Sequence, residues 1–272
     1  MLIMSKGRAP VVLLTGASSG IGAALARQFA ATGASLALLA RRTERLEALA
    51  REIDPSGARV LVLACDVTRD GDDERAVAAT LQRFGRIDIA IANAGFGVAG
   101  EFSELTLDDY RHQLETNVFG VLRTARACLE PLKATRGSLV VMGSVAGHIC
   151  MAGASAYGMS KFAIRGWTES MHAELHRYGI AVTLISPGFV SSEIRKVDNS
   201  GRLHANAPDP IPAWLLVPAD VAARHMLRGI VRRRREVIIT GHGKLAVLLK
   251  RLSPGLLAWA GKRGLHGRSP PQ

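Results

Sequence analysis

In the stretch "AYGMSK", Tyr157 and Lys161 stand four positions apart, so on a helix both side chains leave the same face. A phenol is a poor acid or base near neutrality, with an ordinary pKa of about 10. An ammonium group beside it favours the phenolate and brings Tyr157 toward useful proton transfer. Ser144 lies upstream, where "LVVMGS" ends, and its hydroxyl is placed to hydrogen-bond a reacting oxygen. A Tyr and a Lys at this spacing also occur as an exposed helix pair. The strand end before them, and a second pattern near the N-terminus, set this pair apart.

That second pattern is "TGASSGIG", Thr15 to Gly22. Gly16, Gly20 and Gly22 permit a tight turn and close backbone approach. The helix that follows offers free N–H groups and its positive dipole end to a phosphate. The spacing is GxxxGxG rather than the commoner GxGxxG, and glycine triplets alone are weak evidence. The strand before and the helix after give the motif its weight. At the end of the second strand, a dinucleotide fold usually places an acid on the adenosine ribose 2′-hydroxyl. Here Ala40 takes that place, followed by Arg41 and Arg42. An acid would repel a 2′-phosphate, whereas guanidinium groups bind one bidentately, so the sequence favours NADP(H) over NAD(H). The alternative is that the two arginines solvate the start of the next helix.

The elements that must hold these residues are legible as alternating runs. Apolar strand-like runs occur at 11–16, 35–40, 59–67, 87–95, 137–144, 180–188 and 236–241, with helix-like stretches at 20–32, 43–53, 70–84, 106–131, 154–178 and 218–232. Near-continuous apolar strands alternating with helices predict an α/β fold: a three-layer, Rossmann-type, doubly wound parallel sheet with helices on both faces. Ligands of such a sheet bind beyond the carboxyl ends of its strands, near the switch in strand order. The irregular stretch 189–217, rich in Pro, Asn, Ser and Gly, reads as a mobile substrate lid. Residues 1–242 then form one catalytic domain and 243–272 a basic amphipathic extension.

With its motifs in this order, the chain resembles the short-chain dehydrogenase/reductase family over residues 10–242. The matching residues are "TGASSGIG", Asp66 and Val67 of "CDV", Asn93, Ala94 and Gly95 of "NAG", Asn117, Ser144, "YGMSK", and Pro187 and Gly188. Ala92 stands where the family often has Asn. The resemblance implies a catalytic set of Asn117, Ser144, Tyr157 and Lys161, with Asn117 holding a water in a relay to Lys161. It implies a cofactor site formed by Thr15, Gly16, Ser18, Ser19, Gly20, Ile21, Gly22, Arg41, Arg42, Asp66, Val67, Asn93, Ala94, Gly95, Tyr157, Lys161, Pro187, Gly188, Val190 and Ser192. Asp66 would bond the adenine, and Lys161 the nicotinamide ribose. Ser192 replaces the usual Thr and keeps the hydroxyl. The implied reaction is reduction of a ketone or aldehyde, with Tyr157 as proton donor and hydride from NADPH. Its reverse, a hydroxysteroid- or retinol-like alcohol dehydrogenase, uses the same site. A non-catalytic NADPH-binding regulator is the third reading, and the complete tetrad argues against it.

Phe96, Val145, His148, Ile149, Met151 and Phe189 are expected to face the reacting carbonyl, a mostly apolar lining that suits a lipophilic substrate. No metal cluster is expected: the "HAELH" run from His172 to His176 lacks a third ligand and reads as a polar helix face. In relatives, the 106–131 helix and the Tyr-bearing helix often pair across a dimer interface. A homodimer or homotetramer is therefore expected. Thr106 and Asp109 are placed to cap the first of these helices.

Of the 272 residues 48% are apolar, and the net charge is +12. The excess is local: from Val221 onward, twelve Lys/Arg face one acid, Glu236, against 23 basic and 22 acidic residues before it. Arg232 to Arg235 end a helix, where cations suit its dipole. With neither base-stacking aromatics nor a binding motif, nucleic acid is not expected as a partner. Three cysteines without paired spacing point to a reducing, cytoplasmic setting. Beyond Gly243, "KLAVLLKRL" reads as a short helix. Ser253 and Pro254 would open a second, which carries Trp259. This basic amphipathic tail suits an anionic membrane surface, and equally a flap over the active-site mouth or a subunit contact.

Overall fold

The apolar runs become strands because both of their faces can be buried. The computed structural model describes residues 8–204 and 206–255. Its first half contains β1 (Val11–Thr15), α1 (Gly20–Ala30), β2 (Ser35–Ala40), α2 (Thr43–Ile53), β3 (Val60–Ala64), α3 (Asp72–Phe84) and β4 (Ile89–Ala92). Then come α4 (Leu107–Leu114), α5 (Gly120–Ala127), α6 (Leu129–Thr135), β5 (Ser138–Met142), α7 (Ser155–His176), β6 (Ala181–Ser186), α8 (Ala219–Val231), β7 (Glu236–Ile238) and α9 (Gly241–Leu252). The seven strands form one sheet in the order β3-β2-β1-β4-β5-β6-β7, and every pairing is parallel.

Alternation along the strands divides the core. Val12 and Leu14 point into a cluster with Phe29 of α1, Leu46 of α2 and Met226 of α8. Leu13 points the other way, toward Val77 of α3, Val121 of α5 and Ile164 of α7. Helices thus seal both faces, as a doubly wound sheet requires. The strand order reverses between β1 and β4, and the carboxyl ends there open the crevice in which such folds bind ligands.

The single helix expected over 106–131 is broken. Thr106 caps α4 as anticipated, its hydroxyl accepting from the Asp109 amide while the Asp109 carboxylate accepts from the Thr106 amide. After Leu114 the backbone widens into a π turn, Glu115–Phe119, before α5 resumes. A second break falls at Cys128, because Pro131 in the first turn of α6 has no N–H to continue the ladder. The expected lid folds into short 3-10 turns, Glu193–Lys196 and Ala213–Leu215. Asn199 pins it to the loop after β4, exchanging two hydrogen bonds with the Ala99 backbone at 3.0 and 3.1 Å.

Two readings of the C-terminal region change. Arg233 does more than suit a helix dipole. With φ of 50°, it places its Nη2 2.7–2.8 Å from the carbonyls of Arg136, Gly137 and Gly179, tying the end of α6 and the approach to β5 to the turn between α7 and β6. α9 begins at Gly241, two residues ahead of the expected boundary. Its N-cap, the Thr240 hydroxyl, accepts from the Gly243 amide, and Gly243 and Val247 are buried against the domain. Trp259, with most of the second helix expected after Ser253, lies outside the described residues. No helix among the described residues is long and apolar enough to cross a membrane.

Candidate active site

A cleft of about 400 Å³ runs along the carboxyl ends of the strands. Every residue assigned to the cofactor from sequence, from Thr15 in the glycine turn to Ser192 in the lid, lines it, as do Ser144, Tyr157 and Lys161. The glycine turn is built for close approach. A Cβ at Gly22 would lie 2.2 Å from the Gly16 carbonyl oxygen, and one at Gly16, where φ is 65°, would lie 2.8 Å from Ala94 Cα. Asn93 holds the turn from across the switch point, its amide donating to the carbonyls of Thr15 (2.9 Å) and Gly16 (3.1 Å). The Thr15 hydroxyl returns the tie, accepting from the amides of Asn93 and Ala94. Helix α1 opens at Gly20 without a side-chain cap from Ser19, which leaves its first N–H groups and its dipole for an anion.

Asp66 stands over the far side of this end. Burial alone would raise its pKa, but bonds from the Thr68 hydroxyl and amide, with the charges of Arg41 and Arg69, hold the carboxyl below its usual range. These groups fit an adenine dinucleotide: a crowded glycine turn, an uncapped helix start, an ionised Asp66 and two arginines after β2.

At the other end, the Ser144 hydroxyl accepts from the Ala146 amide at 3.0 Å and donates to the Pro187 carbonyl at 3.4 Å, and it lines the cleft together with Tyr157. The expectation that Lys161 lowers the Tyr157 pKa is not met. Lys161 Nζ donates to the Met142 carbonyl at 2.9 Å and stands 5.7 Å from the phenol ring centre. Burial dominates instead and pushes Tyr157 upward, with Ser144 and the charge of Arg195 pulling only partly back. Burial also brings Lys161 down to about 8. Asn117 does not line the cleft. Held in the π turn and fully buried, it accepts from the Phe96 amide (3.1 Å) and donates to the Phe96 carbonyl (3.0 Å) and to the Ser160 hydroxyl (3.2 Å). Its side chain therefore fixes the turn after "NAG" and the helix that carries Tyr157.

The substrate end departs most from the sequence reading. Of the six expected residues, Phe96 lines the cleft; Val145, His148, Ile149, Met151 and Phe189 do not. The 3-10 turn Val145–Gly147 redirects the chain. Val145 then faces α9, its Cγ2 lying 2.7 Å from where a Gly243 Cβ would be. His148 is buried, its Nε2 3.1 Å from Ser186 Oγ and 3.0 Å from Glu236 Oε1, behind the sheet end rather than in the pocket. Phe189 stacks on His242 with ring centres 5.4 Å apart, and Met151 is exposed to solvent. The lining comes instead from His112 at the end of α4, Thr116 in the π turn, and Ile194, Arg195, Val197 and Leu203 in the lid. Arg195 is anchored by Asp209 at 2.7 and 2.8 Å. No spacing rule marks these lid residues, because only the folded strap brings them over the cleft.

A Rossmann-type sheet whose switch-point cleft joins a glycine turn to a Ser-Tyr-Lys cluster defines a dinucleotide-dependent oxidoreductase. The family described as short chain dehydrogenase matches residues 10–203. Over 260 residues the chain is 34% identical to 11-beta-hydroxysteroid dehydrogenase 1A of Arabidopsis thaliana, covering 92% of this chain and 73% of that protein. A short-chain dehydrogenase from Sphingobium yanoikuyae in complex with NADPH superposes with a TM-score of 0.73 at 32% identity, covering 96% of each chain. One from Burkholderia phymatum in complex with NAD superposes at 0.81 over 93% of this chain and 97% of its own; at 23% identity it speaks to the fold alone. The chain belongs to the short-chain dehydrogenase/reductase family and is an oxidoreductase acting on CH–OH or C=O groups.

Proposed function

We propose that the protein is an NADP(H)-dependent reductase of a ketone or aldehyde carried by a lipophilic molecule. One observation carries the reading: the same cleft has arginines and no strand-end acid at its adenosine end, and Ser144, Tyr157 and Lys161 together at the other. When bound, a nicotinamide cofactor supplies the hydride. The chain's own residues handle the oxygen and its proton. Ser144 steadies the carbonyl oxygen, and Tyr157, kept in its acid form by burial, donates the proton. Lys161, held on the Met142 carbonyl, keeps a positive charge below about pH 8 beside the ribose site. Asn117, Asn93 and Ser160 position these groups. Phe96, Ile194, Val197 and Leu203 give the substrate end its apolar character.

The test is NADPH oxidation screened against acyl, steroid, retinoid and small aldehyde carbonyls, with NADH in parallel. Turnover of an apolar carbonyl with NADPH preferred supports the reading. Tight NADPH binding without turnover on the whole panel would favour a regulator instead.

We infer further that α9 lies against an anionic membrane surface, near which a lipophilic substrate would be met. Leu245, Leu248 and Leu252 form one exposed stripe, flanked by exposed Lys244 and Arg251, while Gly243 and Val247 hold the opposite side to the domain. An outward apolar stripe with basic edges complements acyl chains and anionic headgroups together.

A further inference from the structure

The arginines at the adenosine end already hold an anion of the protein's own. Arg42 donates through Nη2 to the hydroxyls of Ser18 (3.2 Å) and Ser19 (2.9 Å) in the glycine turn, and through Nη1 to Glu193 at 3.3 Å. Arg45, one helical turn further along α2, places its Nη1 2.9 Å from both Glu193 carboxylate oxygens. Glu193 is the first residue of the lid's 3-10 turn. Its neighbour Ser192 packs on the glycine turn, with Cβ 3.1 Å from where a Gly20 Cβ would stand. The ion pair therefore joins the substrate lid to the residues that would receive a 2′-phosphate.

We propose that Glu193 is a resident competitor for the 2′-phosphate, that Arg45 is a further ligand of that phosphate, and that the pair sets how strongly the enzyme prefers phosphorylated over unphosphorylated dinucleotides. This rests on the NADP(H) reading and deepens it. A phosphate monoester carries close to two negative charges and three acceptor oxygens, against one charge and two oxygens on Glu193. It therefore displaces the carboxylate from guanidinium groups that bind either anion in the same forked geometry. A cofactor with a bare 2′-hydroxyl offers no anion, and Glu193 keeps its place. Burial alone would raise the Glu193 pKa, but the bond from Arg45 and the charges of Arg45 and Arg42 hold it below the usual range, so the competitor is ionised whenever the cofactor phosphate is. All three side chains are between a third and two-fifths exposed, so solvent screens the competition and its size is modest.

The test measures binding of adenosine 2′,5′-bisphosphate and adenosine 5′-monophosphate, then of NADPH and NADH, to the full chain and to Glu193→Gln, Arg45→Gln and the double variant. Melting curves serve to confirm folding. The expected result is that Glu193→Gln tightens the bisphosphate and NADPH about three- to tenfold and leaves the monophosphate and NADH within about twofold. Arg45→Gln should weaken the phosphorylated ligands and blunt the gain from removing Glu193. If Glu193→Gln tightens both members of each pair equally, the carboxylate is a lid tether without discrimination, and the proposal fails. It fails as well if that variant weakens NADPH, since Glu193 would then be organising the arginines. A wild-type chain without 2′-phosphate preference defeats the NADP(H) reading. The competitor role would still stand if Glu193→Gln then created such a preference, and it falls if the variant creates none.

Discussion

The backbone amide of Phe189 donates to His242 Nε2 at 3.2 Å, joining the loop after β6 to the first turn of α9. Gly188 makes the joint tight: a Cβ there would meet Thr240 Oγ1 at 2.2 Å and His242 Nε2 at 2.7 Å. Since Nε2 accepts, the ring is neutral with its proton on Nδ1. Burial lowers the His242 pKa from its ordinary 6.5. Between that lower value and 6.5 the unfolded chain binds more protons, so the contact contributes fully above about pH 6.5 and is lost as pH falls through the folded value. Cofactor affinity is expected to weaken on the same acid limb, because Pro187 and Gly188 line the cleft. His242→Ala should raise the cofactor KM about three- to tenfold at pH 7.5 and flatten that limb, as one buried hydrogen bond is lost. An unchanged acid limb in a KM-against-pH series would remove His242 from this role.

Tyr157→Phe keeps the ring in place and deletes the hydroxyl that faces the cleft beside Ser144. Turnover should drop by about a hundred- to ten-thousandfold, the usual worth of a positioned proton donor. Quenching of protein fluorescence by NADPH should report binding close to wild type. Substantial residual turnover would mean that another group protonates the product oxygen.

Much of this site could be read from the chain, and the reason differs from residue to residue. Gly16, Gly20 and Gly22 announce themselves because a turn that crowded admits no side chain, and Tyr157 and Lys161 because helical spacing is local. The doubly wound parallel sheet followed from apolar runs that only a sheet covered on both faces can bury. Other features had no local signal. His148 looked like a pocket residue from its place after Ser144, yet a short 3-10 turn swings it onto Ser186 and Glu236. Glu193 and His242 act across distances of about 150 and 50 positions in sequence, and neither carries a motif. Arg45 was the legible omission: three residues after Arg42 on a helix, it shares that residue's face.

Lys161 governs the alkaline side. Burial brings its ammonium down to about 8 from 10.5, so the charge beside the ribose site is lost as pH rises through about 8. Cofactor affinity and kcat/KM should fall there together. Lys161→Arg, charged throughout, should lose most activity but show no such limb in a pH profile. Stability runs the other way. The unfolded lysine keeps its proton to 10.5, so the penalty for burying the charge is full below about pH 8 and is relieved between the two values.

Asp73 offers a stability test away from the cleft. It is almost wholly buried. Its Oδ1 accepts from the Thr124 hydroxyl at 2.7 Å, while Oδ2 has no hydrogen-bond partner among the described residues. Burial raises its pKa from 3.8 to about 6. The folded chain therefore binds the extra proton between those values, and stability declines as pH climbs through them. Asp73→Asn keeps the Thr124 bond without the charge. It should gain roughly 1–3 kcal/mol above pH 7, seen as a Tm higher by several degrees, with the gain vanishing near pH 4. A lower Tm at neutral pH would show that the carboxylate has support beyond Thr124.

The outward stripe of α9 separates a membrane contact from a subunit contact. Leu245, Leu248 and Leu252 recur on one side of the helix while the buried side is already seated on the domain, so serine at all three positions removes apolar area without opening the core. Co-sedimentation with vesicles containing phosphatidylserine should be strong for the full chain, reduced by high salt, and largely lost in the triple variant. Each leucine forfeits up to roughly 1.5–3 kcal/mol of burial. Activity on a water-soluble carbonyl should be unchanged, because none of the three lines the cleft. A variant that stays on vesicles rules out this face as the anchor. A wild-type chain that ignores vesicles but changes sedimentation coefficient with the triple substitution would make α9 a contact between copies.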